Sequence, residues 1–439
     1  MNRDETILIA GGGWAGLAAA LELTAHNIPV KVYESAPQLG GRARNAPFGE
    51  LTVDNGQHLL IGAYSETLRL LTLTGADEAE LFLRTRLRLK VVEGNEALVM
   101  QAPLLPAPLH LAWAQLSAEG LSLTARAAAL LMSLKLTLNN FTLSDDISVA
   151  ELLRNYRQGA TIVRRFWEPL CLATLNTPID RASAKVFLRV LKDSFTRRRS
   201  DADLLIPKAP LGELFPQRIA TYLQQHGVTV ETRRRIDAIE VGDRGLTGAT
   251  IGGVFHPCSE LIIATAPHTA SQLLQHHPST TALARQIDQL GSQPITTLYL
   301  QYPAHHQMEE PMIGMAGSVA QWLFDRRHCA QPGLIAVVIS AAGEHNEWDN
   351  ERLTAHIIGE LQQQFPHWPA PLQSRVIREK RATFECSVGI ESRRPGNATP
   401  VKGLWLAGDY TDTGYPATLE GAVRSGVECA HQIIANRRP

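Results

Sequence analysis

Three features of this 439-residue sequence predict an α/β fold built on a parallel sheet whose strands come from distant parts of the chain. The first is a strand, glycine turn, helix and strand in succession over Thr6–Glu34. The second is a set of strand-like apolar runs far downstream, at Val228–Glu231, Glu260–Thr265 and Gly403–Asp409. The third is the different character of the blocks between them. An α/β domain interrupted by two insertions accounts for that order better than domains in series.

Ile7-Leu8-Ile9-Ala10 is short and wholly apolar, as a parallel strand buried on both faces requires. Residues 15–26 are rich in Ala and Leu and suit a helix on that sheet, with Val30–Glu34 as the neighbouring strand. A helix over 213–226, stopped by Gly227, leads into Val228–Glu231. Gly403–Asp409 and a helix over 419–435 complete the set. Between them, residues 98–143 carry few charges and much Leu and Ala, broken at first by Pro103, Pro106 and Pro108. Residues 148–200 look helical, and 290–390 mix β-like runs (Thr296–Leu300, Leu334–Ile339) with a helix near 350–364. The expected division is 1–75, 205–268 and 395–439 for the interrupted domain, with 76–204 and 269–394 forming an inserted α+β domain.

A hydrophobic fraction of 44% excludes a disordered chain. With 42 Lys+Arg against 43 Asp+Glu, the net charge of −1 argues against a nucleic-acid binder. Cys171, Cys258, Cys329, Cys386 and Cys429 are scattered, fit a reducing cytoplasm and offer no metal or disulfide framework. Asn2–Glu5 is polar and lacks the apolar stretch of a signal peptide, and no apolar run is long enough to cross a bilayer. The expectation is a cytoplasmic protein, with peripheral membrane contact open.

Gly11-Gly12-Gly13-Trp14-Ala15-Gly16 matches G-x-G-x-x-G after a strand and at the opening of a helix, the Rossmann-like dinucleotide pattern. Gly11 permits the tight turn, Gly13 lets backbone approach a pyrophosphate, and Gly16 allows close helix–strand packing. Amides at the helix start, from Trp14 and Ala15, and the helix dipole favour phosphate charge. Glu34, 21 residues beyond Gly13, stands where a carboxylate accepts both ribose hydroxyls of an adenosine. Gly40-Gly41-Arg42 can bring backbone and guanidinium to the phosphates or flavin, or be an ordinary turn with a surface Arg. Gly408-Asp409 ends a strand before a helix bearing Glu420-Gly421-Ala422, where a carboxylate and helix N-terminal amides meet a ribityl chain and flavin pyrimidine. Alone it reads as a turn or an N-cap. Together the three sites favour FAD over NAD.

On these residues the chain resembles the amine oxidase/phytoene desaturase flavoprotein superfamily. Gly13–Ala20, Val53–Leu60, Gly62-Ala63-Tyr64, Cys171–Pro178 and Asp412–Glu420 are similar to the squalene-associated FAD-dependent desaturases, a family understood as hydroxysqualene dehydroxylases of hopanoid synthesis. The resemblance runs effectively over the whole chain. It implies a Rossmann-like FAD-binding domain of the amine oxidase type with an inserted α+β substrate domain. It implies that Glu34 holds the adenosine ribose, Arg42 the phosphates and Asp409 the pyrophosphate–ribityl region. Ile236 would contact adenine through its backbone, and Thr418 and Leu419 would face the flavin ring. The implied reaction is reductive dehydroxylation of hydroxysqualene to squalene. Alternatives are a polyprenyl or carotenoid desaturase, a flavin amine oxidase, whose usual lysine near the flavin we cannot place, and a flavin-retaining scaffold. No second G-x-G-x-x-G marks an NAD(P)H site, so the expectation is an external electron donor, unidentified.

Such chemistry needs a proton donor for the leaving hydroxyl and a dry, apolar tunnel. The donor candidates are His58 and Asp54, in the loop whose Gly56, Gln57 and His58 are expected to line the flavin pocket. Tyr415 and Asn176 are weaker candidates. Leu104, Leu105, Leu109, Leu111, Trp113 and Leu116 would line a tunnel mouth dipping into one membrane leaflet; the sequence favours the simpler reading, an amphipathic pair packed on the core. Arg197–Arg199 and Arg233–Arg235 read as solvated surface.

Overall fold

In the computed structural model, which describes residues 6–437, Ile7–Ala10 forms a strand (β1) with all four side chains buried. Asn2–Glu5 lies outside the described residues. On one flank β1 pairs in parallel with Val30–Tyr33 (β2), and β2 with Thr229–Glu231 (β3). On the other flank β1 pairs with Leu261–Ile263 (β4), and β4 with Leu404–Leu406 (β5). The resulting order β3-β2-β1-β4-β5 is that of a dinucleotide-binding sheet. The fold is therefore α/β with a Rossmann-like sheet, as the apolar runs predict.

Helix α1 (Trp14–Ala25) is buried from Trp14 to Leu23, because the sheet covers one side and the helix Leu419–Arg437 the other. That sandwiching explains its lack of a polar face. The predicted helix over 213–226 forms as a widened π turn, Glu213–Gln217, followed by Arg218–Gln225. Pro216 lies within the turn, where its missing N–H and bulky ring disfavour regular α bonding.

A second, seven-stranded sheet is antiparallel except where Met312–Met315 meets Arg88–Glu93 in parallel. Its strand Leu334–Ser340 is buried throughout. Against one end of this sheet lie helices α2 (Leu109–Leu116) and α3 (Leu123–Leu138), joined by reciprocal hydrogen bonds between Gln115 and Ser133. Ser122 starts α3 by accepting the Ala125 amide, and Ser183 starts helix α4 (Ala184–Phe195) by accepting that of Val186.

The simpler expectation for residues 98–143, an amphipathic pair packed on the core, holds on the inner sides of α2 and α3. Of the fourteen large hydrophobic side chains exposed among the described residues, nine lie between Leu104 and Leu138. The inner sides of α2 and α3 have a core to meet, through Ala114, Ala129, Met132 and Leu136. Their outer sides do not, and Trp113 and Leu138 stand 55% and 76% exposed. No helix among the described residues is long and apolar enough to cross a membrane.

Candidate active site

The turn after β1 places Gly13 opposite Gly41, joined through a parallel bridge between Gly13 and Gly40. A Cβ added to Gly13 would meet nothing nearer than the Gly41 Cα at 3.9 Å, so both face open space with bare backbone. This is a cradle a phosphate can enter. At the end of β2, Glu34 accepts the Gly12 amide at 2.8 Å and the Ala36 amide at 2.7 Å. The Arg234 amide donates to the Glu34 carbonyl, which brings Ile236 to the same end. Arg42 reaches across the chain to Asp409, Nη2 to Oδ1 2.5 Å, and donates through Nη1 to the Ala382 carbonyl. Two candidates 367 residues apart thus form one ion pair.

These groups open on a single cavity of about 1190 Å³. Gly11, Gly13, Trp14, Ala15, Glu34, Gly41, Arg42, Gly56, Gln57, His58, Ile236, Gly408, Asp409, Thr418 and Leu419 all lie on its wall. From there it continues past Met312, Trp322 and Phe324 of the second sheet and the tilted pair Phe166–Trp167. It ends between α2 and α3, where Leu109 and Leu134 are both wall residues and exposed. Gly16 is off the wall; its added Cβ would lie 2.0 Å from the Gly11 carbonyl oxygen, which is the close packing expected of it.

Asp54 is also off the wall, and its expected role as proton donor is corrected. One oxygen pairs with Arg326 at 2.7 Å, with both side chains 1% exposed, and the other accepts the Leu211 amide. So engaged, neither oxygen faces the cavity. Arg326 also donates to the Gln57 side chain, and Tyr299 to the Asp54 carbonyl, so the loop from Asp54 to His58 is riveted from behind.

His58 meets the Gly56 carbonyl through Nδ1 at 2.6 Å, which requires the proton on Nδ1 in the neutral ring. Its Nε2 has no hydrogen-bond partner among the described residues. Burial pushes the imidazole below its usual value, against the opposing pull of the Asp54 charge and the Gly56 bond. Asn176, at the left-handed end of its helix, is engaged by the Pro294 carbonyl, Thr383 and the Ala341 amide, a rivet between helix and sheet.

Several functional positions escaped sequence reasoning. Arg394 is buried and donates to the carbonyls of Asp409, Thr411 and Tyr415 and to Thr413 Oγ1, holding the Asp409–Tyr415 loop. Its only sequence signal is the Arg-Arg-Pro run at 393–395. Arg234 and Arg235, read as solvated surface, are exposed but also line the cavity beside Glu34. Glu420 does not face the cavity; it accepts the Glu66 and Thr67 amides and so caps the helix Ser65–Leu73. No lysine lies on the cavity wall among the described residues. They hold no His, Cys, Asp and Glu cluster suited to a metal.

Comparison with known proteins agrees with this geometry. A family model described as flavin containing amine oxidoreductase matches residues 14–434. The chain is 28% identical to the hydroxysqualene dehydroxylase of Rhodopseudomonas palustris, over 99% of this chain and 100% of that one. It is 22% identical to the zeta-carotene desaturase of Synechocystis sp., over 98% and 97%. Among solved structures, an oxidoreductase from Methanosarcina mazei superposes with a TM-score of 0.76 at 15% identity, covering 97% of this chain and 99% of that one.

Proposed function

Given that the chain belongs to the flavin-containing amine oxidoreductase family, we propose that this flavin-dependent oxidoreductase converts hydroxysqualene to squalene. A dinucleotide cradle in a flavin family identifies its cofactor as FAD. The observation that carries the reading is the continuity of one cavity from that cradle to an exposed apolar mouth. Such a shape suits a long hydrocarbon, and the similarity to hydroxysqualene dehydroxylases supports the specific substrate. The absence of a wall lysine among the described residues weighs against an amine oxidase. We assign residues 1–75, 205–268 and 395–439 to cofactor binding, and the two insertions to the substrate.

When bound and reduced, FAD supplies a hydride. The Gly13 and Gly41 backbones, Glu34 and the Arg42–Asp409 pair bind and orient the dinucleotide. The apolar walls exclude water, so charge developing on the allylic carbon is stabilised by fixed protein groups rather than quenched by solvent. His58 moves the proton. As imidazolium it donates from Nε2 to the substrate oxygen, the C–O bond breaks, and the hydroxyl leaves as water. Because burial disfavours the charged ring, that imidazolium is a stronger acid than a free histidine. The nearby Asp54 charge supports its formation without itself touching substrate.

The face from Leu104 to Leu138 is our candidate for contact with the cytoplasmic leaflet. Between Ala97 and Leu143 the charged residues are Glu119, Arg126 and Lys135 alone. Leucines around the mouth would enter the acyl region while the two cations meet lipid headgroups.

Anaerobic incubation of the FAD-loaded protein with hydroxysqualene and a chemical reductant, read by mass spectrometry, is expected to yield squalene. No squalene from fully reduced protein overturns the reading. Desaturation of a carotene under oxidising conditions instead would favour the second reading, which the similarity to zeta-carotene desaturase supports.

A further inference from the structure

Four carboxylates lie on the cavity wall: Glu34, Glu379, Asp409 and Asp193. The first three adjoin cofactor-binding residues, since Glu34 follows β2, Asp409 pairs with Arg42, and Glu379 accepts from Asn55 of the His58 loop. Asp193 has no such place. It sits in the last turn of α4, 5% exposed, where the Tyr415 hydroxyl donates to its Oδ2.

Arg189, one turn earlier on α4, and Arg197, just beyond its end, flank its two oxygens at 3.0 and 3.7 Å. Arg189 and Arg424 also stand over the Tyr415 ring, at 5.4 and 4.6 Å from its centroid. Arg394 holds the Tyr415 carbonyl. The pair is thus a fixed polar patch on the wall, beside Ser194 and close in sequence to Thr418.

We infer that Tyr415 and Asp193 read the single hydroxyl of the lipid substrate, a specificity role that rests on the proposed function. The donor and acceptor inventory decides the direction. The Tyr415 proton is committed to Asp193, so its oxygen offers the cavity only lone pairs. Burial alone raises the Asp193 carboxyl, but the bonds from Tyr415 and Arg189 outweigh it and hold the group below its usual value. Burial and the Asp193 bond push the Tyr415 phenol up to about 12, so it stays neutral. A neutral phenol pinned to a carboxylate accepts a hydrogen bond from an alcohol and gives a hydrocarbon nothing. The patch therefore favours the alcohol over the product, and dehydroxylation removes the group by which the lipid is held.

The test compares equilibrium binding of hydroxysqualene and squalene to the oxidised FAD-loaded protein, which cannot turn over, in wild type, Tyr415→Phe and Asp193→Asn. Wild type is expected to prefer the alcohol by about tenfold, the worth of one hydrogen bond to such a group. Tyr415→Phe is expected to keep its flavin and its squalene affinity and to lose the preference. Asp193→Asn checks the same point through the carboxylate. Retained preference in Tyr415→Phe, or loss of flavin in place of preference, overturns the inference. The proposed function is judged separately by wild-type turnover: squalene formed by wild type with preference intact in the variants sinks the patch alone, whereas neither binding nor turnover sinks both.

Discussion

The two halves of the cavity are built on opposite principles. The cofactor half is made of backbone and charge, each member held by a named partner: Arg42 by Asp409, the His58 loop by Arg326, the Asp409–Tyr415 loop by Arg394. The lipid half is made of α2 and α3, tied to each other by the Gln115–Ser133 hydrogen bonds and by Arg126 donating to the Leu116 carbonyl, with outer leucines left exposed. One half is tied by charge and backbone, the other packed mainly by apolar side chains. Substitutions should therefore cost much on one side and little on the other.

The largest effect is expected behind the cofactor loop. Asp54→Ala leaves the Arg326 charge buried without its partner and should cost about 3–5 kcal/mol in urea unfolding. The double variant Asp54→Leu/Arg326→Met should recover most of it, and no recovery would show that the pair shapes the loop in another way. Next, Arg394→Ala strips donors from several buried carbonyls and should cost about 3 kcal/mol or more with loss of bound flavin, read from absorbance. Flavin retained at full occupancy would contradict that role.

His58→Gln should keep flavin and lower turnover about 10²–10⁴-fold. In wild type, the rate of the chemical step should fall as pH rises, with its midpoint below the ordinary histidine value near 6.5, because the acid form is required and burial depresses it. Stability should run the other way. Burial holds His58, His110 and His345 below the usual value, so the unfolded chain binds their protons first. Their contribution is complete above about pH 6.5 and is lost as pH falls below it, lowering Tm in a thermal scan.

The smallest stability effect belongs to the lipid half. Leu131→Ser/Leu134→Ser/Leu138→Ser should change unfolding by no more than about 0.5 kcal/mol per site. The same protein should lose co-sedimentation with anionic vesicles. Undiminished sedimentation would move the membrane contact elsewhere.

That contrast also explains what the sequence made legible. Three of the five parallel strands, β1, β4 and β5, were readable because both faces are buried and the runs are wholly apolar, and Gly11–Gly16 because local backbone geometry imposes its spacing. Asp54 misled because a carboxylate beside a histidine looks the same whether it faces a cavity or a buried guanidinium 272 residues away. Arg394, Asp193 and Arg326 were invisible for that reason: their meaning lies in partners that only the closed fold supplies. The α2–α3 segment was legible in part, since apolar composition does not say which side has a core to meet.

The Arg42–Asp409 pair and the packing of α1 against Leu419–Arg437 have a consequence for how the molecule is made. During synthesis β1 and β2 emerge early, while β4 and β5 and that distal helix emerge much later. A Cβ at Gly426 would lie 2.1 Å from the Ala15 carbonyl oxygen, so the distal helix docks directly on the backbone of α1. Until it does, the nascent α1 keeps an apolar side open and the phosphate cradle lacks Asp409. A chain that ends before residue 409 therefore has neither the carboxylate partner of Arg42 nor the helix that covers α1.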